Sequence, residues 1–264
     1  MIEPKKSLGQ NWLVDFKSLQ KIISYANLKQ EDIVLEIGPG TGNLSKLLLP
    51  KVYKVIAIEL DQNLVKTLAE QNLANLELIH QDILKFNFNE IKGSYKIIGN
   101  IPYYLTSHLI RVLSEIKNKP SVVVLLVQKE VGIRISASKG NYSILSLLTQ
   151  FYWDITLGAD IPKEMFYPIP KVDSKIIILK PKLQLIEVDS ARLFRLIKMG
   201  FSSKRKTLVN NLSTLPNFPK EQFKKYLVDH QMDLMVRAQS VGLDQWVSIL
   251  AFLSTFSRKS ARIV

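Results

Sequence analysis

The chain has 264 residues, 47% of them hydrophobic and 22% charged, proportions that leave room for one large and one small domain and exclude global disorder. Cysteine is absent, which excludes disulfides, thiolate metal sites and cysteine nucleophiles; no signal-peptide pattern or bilayer-length apolar run is present, so a soluble, cytoplasmic protein is expected. The formal charge of +13 suits a partner rich in phosphate, and from Lys182 onward 14 Lys and Arg stand against 6 Asp and Glu, a net of +8 in about a third of the chain.

Apolar runs alternate with amphipathic stretches from residue 18 to about 130, the pattern of βα units around a parallel sheet covered on both faces. The predicted strands are Ile33–Ile37, Tyr53–Ile58, Leu76–His80, Lys96–Gly99 and Val122–Gln128. Helical patterns fall near 43–50, 61–72 and 106–116, with Asp61, and Thr106 with Ser107, placed as N-caps. Ser143–Phe151 reads as a core helix. Two more strands, Ile155–Ala159 and Lys175–Leu179, flank a stretch whose Pro162, Pro168 and Pro170 forbid a helix and stiffen a loop. Beyond Pro181 only helical patterns remain, at Ala191–Phe201, Lys220–Asp229 and Leu243–Phe256. The expectation is an α/β, Rossmann-like catalytic domain over 1–181 and a small all-helical domain over 182–264, the latter facing the substrate or capping the sheet.

In IVLEIGPGTGNLSKLL, Gly38, Gly40 and Gly42 follow a buried strand and precede a helix, where a chain without Cβ atoms can turn sharply against a ligand. A dinucleotide fingerprint requires glycine at 43, and Asn43 stands there. Glycines at alternate positions preceded by Glu36 instead look like an S-adenosylmethionine loop. Glu59 closes the second strand, placed to accept hydrogen bonds from two ribose hydroxyls. Asp82 follows the third, where a carboxylate can accept from an adenine amino group. Either acid alone would be an ordinary surface carboxylate; their recurrence at successive strand ends carries the reading.

After the fourth strand stands Gly99-Asn100-Ile101-Pro102-Tyr103-Tyr104. An adenine N6 amine is a weak nucleophile because its lone pair is delocalised into the ring. An acceptor such as the Asn100 amide oxygen, with a backbone carbonyl, can hold the amine and aim that lone pair at a sulfonium methyl. Pro102 stiffens the backbone, and Tyr103 offers a face for a flipped base. Catalysis would then be largely positioning, with no metal. His80, His108 and His230 are isolated and read as packing or surface residues.

The segments KKSLGQNWL, EIGPGTGNL, IELD, QDIL, NIPYYLTSHLI and FYPIPKVDS together resemble the KsgA-type small-subunit (16S) ribosomal RNA adenine N6,N6-dimethyltransferases over nearly the whole chain. The resemblance implies cofactor contacts by Asn11, Leu13, Gly38, Gly40, Glu59, Asp82 and Asn100, and a base held between Tyr103 and Phe166. It implies as substrate two adjacent adenines near the 3′ end of small-subunit rRNA, each receiving two methyl groups on naked RNA or an assembling 30S particle. Trp12 stands where that family usually has phenylalanine. Lys204, Arg205 and Lys206, in FSSKRKTL, suit either a phosphate contact or a solvated helix face. Two alternatives share the fold: the erythromycin-resistance type, which modifies one adenine of large-subunit (23S) rRNA, and a non-catalytic RNA-binding or transcription factor. The KSLGQN opening, the VDS triplet and the RKTLVNNL tail favour the small-subunit type, and the intact glycine loop and Asn100 favour an enzyme. A monomer is expected.

Overall fold

Strands apolar on both faces need cover on both, and the chain supplies it by winding helices to either side of one sheet. The computed structural model describes residues 3–257. The chain enters through a two-residue strand, β1 (Trp12–Leu13), and helix α1 (Phe16–Tyr25), capped by Asp15 accepting from Ser18 N–H at 2.8 Å. There follow β2 (Ile33–Ile37), α2 (Asn43–Leu48), β3 (Lys54–Glu59), α3 (Gln62–Ala69), β4 (Leu76–His80), β5 (Tyr95–Asn100), α4 (Thr106–Glu115) and β6 (Val122–Gln128). Helix α5 (Lys129–Ile135) and α6 (Ile144–Tyr152) lead to β7 (Trp153–Ile161), the short β8 (Phe166–Tyr167) and β9 (Ser174–Pro181).

Seven strands form one sheet in the order β4-β3-β2-β5-β6-β9-β7. The first five are parallel, and β9 lies antiparallel between β6 and β7. Four consecutive residues of β6, Val123–Leu126, are wholly buried, as expected of a strand covered on both faces. From β2 the chain winds outward through β3 and β4, then returns to the other side of β2 as β5. Between β2 and β5 the direction of winding reverses, which opens a crevice at their carboxyl ends.

Three local expectations need correction. Thr106 does not cap α4: the helix continues from a 3₁₀ turn at Tyr103–Leu105, and the Thr106 hydroxyl is buried without a hydrogen-bond partner. Ser107 is likewise inside the helix rather than before it. The proline-rich stretch holds a 3₁₀ turn at Lys163–Met165 and β8, which pairs antiparallel with β1, Trp12 opposite Tyr167 and Leu13 opposite Phe166. Asp61 does cap α3, accepting from Asn63 N–H at 3.0 Å.

The described residues fall into two compact units: those up to 133 with 152–183, and 134–151 with those from 184 onward. The second holds α6, α7 (Ser190–Gly200), α8 (Leu208–Leu212), α9 (Lys220–Asp229) and α10 (Leu243–Ser257). Residues 134–151 join it although they precede β7 in the chain. The Phe151 ring meets Phe194 edge-on at 5.5 Å, and the amides of Gly140 and Tyr142 both donate to Gln239 O. Trp246, fully buried, packs into the space left by Gly200. No helix among the described residues is long and apolar enough to cross a membrane.

Candidate functional site

The crevice between the carboxyl ends of β2 and β5 is lined by Asn11, Leu13, Gly38, Gly40, Glu59, Asp82, Asn100, Pro102 and Tyr103, so nine of the residues singled out in the sequence meet in one place. The glycines are there for geometry. Gly38, Gly40 and Gly42 have φ of +66°, +59° and +83°, a region that side chains make costly. A Cβ on Gly40 would press on the Trp12 indole at 3.1 Å, and one on Gly42 would stand 2.6 Å from Leu68.

That turn also fixes the first carboxylate. Glu59 is 8% exposed; Oε2 accepts from Gly40 N–H at 3.2 Å, and Oε1 accepts from Leu60 and Asp61 N–H, both at 2.9 Å. Burial pushes its pKa up, against three backbone donors that favour the ionised form. The result is a held acceptor with lone-pair capacity to spare. Asp82 opens the turn Ile83–Lys85 and accepts from Leu84 N–H at 2.9 Å through Oδ1.

Glu36 lines the same crevice from within β2. It is 1% exposed, Oε2 accepts from the Ser45 hydroxyl at 2.6 Å, and Oε1 is buried with no partner. Burial above all, with the neighbouring Glu59 charge adding to it, raises its pKa to about 7.

The N-terminal segment crosses this crevice as a strap tied to residues distant in sequence. Asp61 receives Lys5 Nζ at 2.7 Å on Oδ1 and Gln10 Nε2 at 3.0 Å on Oδ2. Burial works against the Asp61 charge, but the donors from Lys5, Gln10 and Asn63 together hold its carboxyl below the ordinary value. Asn43, standing where a dinucleotide fold has glycine, donates to Leu13 O at 3.2 Å. Asn100 Nδ2 donates to Asn11 O at 2.9 Å, and Asn11 Nδ2 to Gly9 O at 3.1 Å. This chain orients the Asn100 amide: its nitrogen is committed to the strap, and Oδ1 is left as an acceptor at the end of β5.

Pro102 starts the turn that carries Tyr103, whose hydroxyl shares a 2.7 Å hydrogen bond with the buried Ser174 at the head of β9. Burial raises the Tyr103 pKa, so the phenol stays neutral. Phe166 is placed otherwise than the sequence implied. It is 2% exposed, packed in the core beside Leu13 and Ile176, and absent from the crevice wall. Its β8 neighbour Tyr167 is the exposed ring.

In the second unit, Lys204, Arg205 and Lys206 are exposed in the turn between α7 and α8, not on a helix face. The buried Asn211 organises that turn, donating to Gly200 O at 2.6 Å and Ser203 O at 3.0 Å. His80 meets Leu60 O at 3.1 Å, His230 stacks on Tyr226 at 4.0 Å, and His108 is exposed. Sequence reasoning placed Asp61 as the α3 cap but overlooked its clasp on Lys5 and Gln10, and it overlooked Ser174 and Asn211. Only Asp61 carried a signal, as the acid two residues after Glu59 in IELD.

Comparison with known proteins gives a consistent result. The model of the family described as ribosomal RNA adenine dimethylase matches residues 1–255. The ribosomal RNA small subunit methyltransferase A of Crocosphaera subtropica is 39% identical over 96% of this chain and all of its own length. The protein of the same name from Mycoplasmopsis pulmonis is 40% identical over 93% of this chain and 97% of its own. Among solved structures, a dimethyladenosine transferase from Plasmodium falciparum superposes with a TM-score of 0.79 at 30% identity, covering 92% of this chain and 97% of that one. The 23S rRNA methyltransferase ErmE, at 0.74 and 23%, covers 92% and 99% and shares the fold.

Proposed function

Because the chain belongs to the ribosomal RNA adenine dimethylase family, we propose that its crevice methylates the N6 amines of two adjacent adenines near the 3′ end of small-subunit rRNA, twice each. It is an S-adenosylmethionine-dependent rRNA methyltransferase. The small-subunit assignment follows relatives at 39% and 40% identity that bear that name, against 23% for the large-subunit enzyme.

The residues present fit the cofactor. Glu59, held by three amides, would take the ribose hydroxyls, Asp82 the adenine amino group, and the strap at Asn11 and Leu13 with Gly38 and Gly40 would enclose the remainder. The partnerless Oε1 of Glu36 offers a cationic group a counter-charge within the same walls. Bound there, adenosylmethionine supplies an electrophilic methyl group on a positively charged sulfur.

The observation that carries the reading is the Asn100 hydrogen bond to Asn11 O. It leaves Oδ1 to accept an N–H of the target amine, drawing its lone pair out of conjugation and fixing its direction. Pro102 keeps the turn rigid, and Tyr103, neutral and tied to Ser174, presents its ring to the base. With Phe166 buried, contact of that ring with the base requires a local shift. The basic turn at Lys204, Arg205 and Lys206 would hold RNA phosphates in an assembling 30S particle, with the chain acting as a monomer.

The test is transfer of labelled methyl to unmethylated small subunits, with large subunits and naked RNA alongside, followed by nucleoside analysis. N6,N6-dimethyladenosine confined to the small subunit is expected. Label on large-subunit RNA would replace the small-subunit assignment.

A further inference from the structure

Behind the glycine turn lies a second recess that shares Trp12, Gly40, Thr41 and Leu64 with the cofactor crevice and extends past them to Thr67, Leu68, Gln71 and Tyr167. Trp12 is among the four shared residues, so its indole lies where the two meet. Two features of this recess are unexplained by the roles given above. The Trp12 indole N–H is buried and donates to nothing, an uncommon state for a group that only donates. Opposite Trp12 across the β1–β8 pair, Tyr167 is 60% exposed, a large ring surface open to solvent where its neighbour Phe166 is buried.

We propose that this recess is a nucleotide subsite, which takes an unpaired base of the RNA adjoining the target adenine, stacked on Tyr167 with an acceptor atom received by the Trp12 N–H after a local shift of the indole that uncovers it. The inference rests on the rRNA substrate proposed above. The chemistry favours RNA over another apolar partner. A free donor wants an acceptor, which an aliphatic side chain lacks and every nucleobase has. Thr41 and Gln71 add polar groups to the wall. Lys66, next in sequence to the lining residue Thr67, and Lys171, beyond β8, are exposed cations available to phosphates, in a chain of charge +13. A subsite next to the crevice also explains how one of two adjacent bases can be held while the other is methylated.

The experiment measures binding of a single-stranded RNA oligonucleotide containing two adjacent adenines, and of adenosylmethionine, to the full chain and to Tyr167→Ala, Tyr167→Phe and Trp12→Phe. Loss of one stacking contact predicts roughly tenfold weaker RNA binding for Tyr167→Ala, with recovery in Tyr167→Phe and cofactor affinity unchanged in both. Trp153 and Trp246 are fully buried, so RNA should quench the fluorescence of Trp12, and the quenching should vanish in Trp12→Phe. Unchanged RNA affinity in Tyr167→Ala overturns the subsite. So does a Trp12→Phe variant that loses cofactor affinity alone, which assigns the indole N–H to the crevice. Failure of the intact chain to methylate small subunits, with the Tyr167 effect on RNA retained, would remove the substrate assignment and leave the subsite standing.

Discussion

At the scale of single residues, the site depends on groups whose orientation is imposed by neighbours. Asn100 matters through one oxygen, because the hydrogen bond to Asn11 O turns the amide nitrogen toward the strap. Asn100→Ala should therefore lower kcat roughly 10²- to 10³-fold, the scale of removing one preorganised hydrogen-bonding group from a reacting centre, with a smaller change in cofactor affinity. Comparable losses in both would make it a binding residue only. Glu36 shows the opposite arrangement, an acid whose charge the fold resists. Unfolded, it titrates near 4.5, and folded at about 7. Between those values the folded chain retains a proton that the unfolded chain has released. Stability without cofactor therefore falls as pH rises through that window, by about 3 kcal/mol for the full shift. Glu36→Gln, which cannot ionise, should lose less stability than the parent between about pH 5 and pH 8 in urea titrations. Parallel pH profiles would mean that Glu36 is already charged in the folded chain.

At the scale of elements, the strap over residues 5–13 links the sheet ends to one another. Its ties reach the N-terminus of α3 through Asp61, the start of α2 through Asn43, the end of β5 through Asn100, and β8 by strand pairing. A segment with so little secondary structure of its own holds its shape only while those ties hold. Asp61→Ala should lose the α3 cap, worth about 1 kcal/mol, and also free Lys5 and Gln10, raising the cofactor Kd. Asp61→Asn retains the capping oxygen and loses the ion pair, so it separates the two effects. Faster proteolysis within residues 3–10 of Asp61→Asn, at nearly unchanged melting temperature, is the expected result. A tight cofactor Kd in both variants would mean that the clasp serves the fold alone.

At the scale of the whole molecule, the charge excess sets how binding responds to salt. Neutralising Lys204, Arg205 and Lys206 together should reduce the slope of log affinity for RNA against log salt by roughly 2 to 3, if each meets a phosphate. An unchanged slope would leave them as solvated charges. The sequence by itself determined the chain order of the seven main-sheet strands, the parallel sheet, the glycine turn and the carboxylates at successive strand ends, though not β1, β8, α5 or α8. Those features follow from burial on both faces of a strand and from φ at single positions, which neighbours along the chain reveal. It also placed Lys204 to Lys206 together without showing that they occupy a turn, because a charge run fits either setting. Only the tertiary structure decided which distant groups meet. Lys5 joins Asp61 across 56 residues, Tyr103 joins Ser174 across 71, and Asn11 meets Asn100 across 89. It likewise buried Phe166 and exposed Tyr167, adjacent aromatics that no local periodicity distinguishes. Two successive residues of a strand point to opposite faces, and which face meets the core depends on what the rest of the chain packs against it.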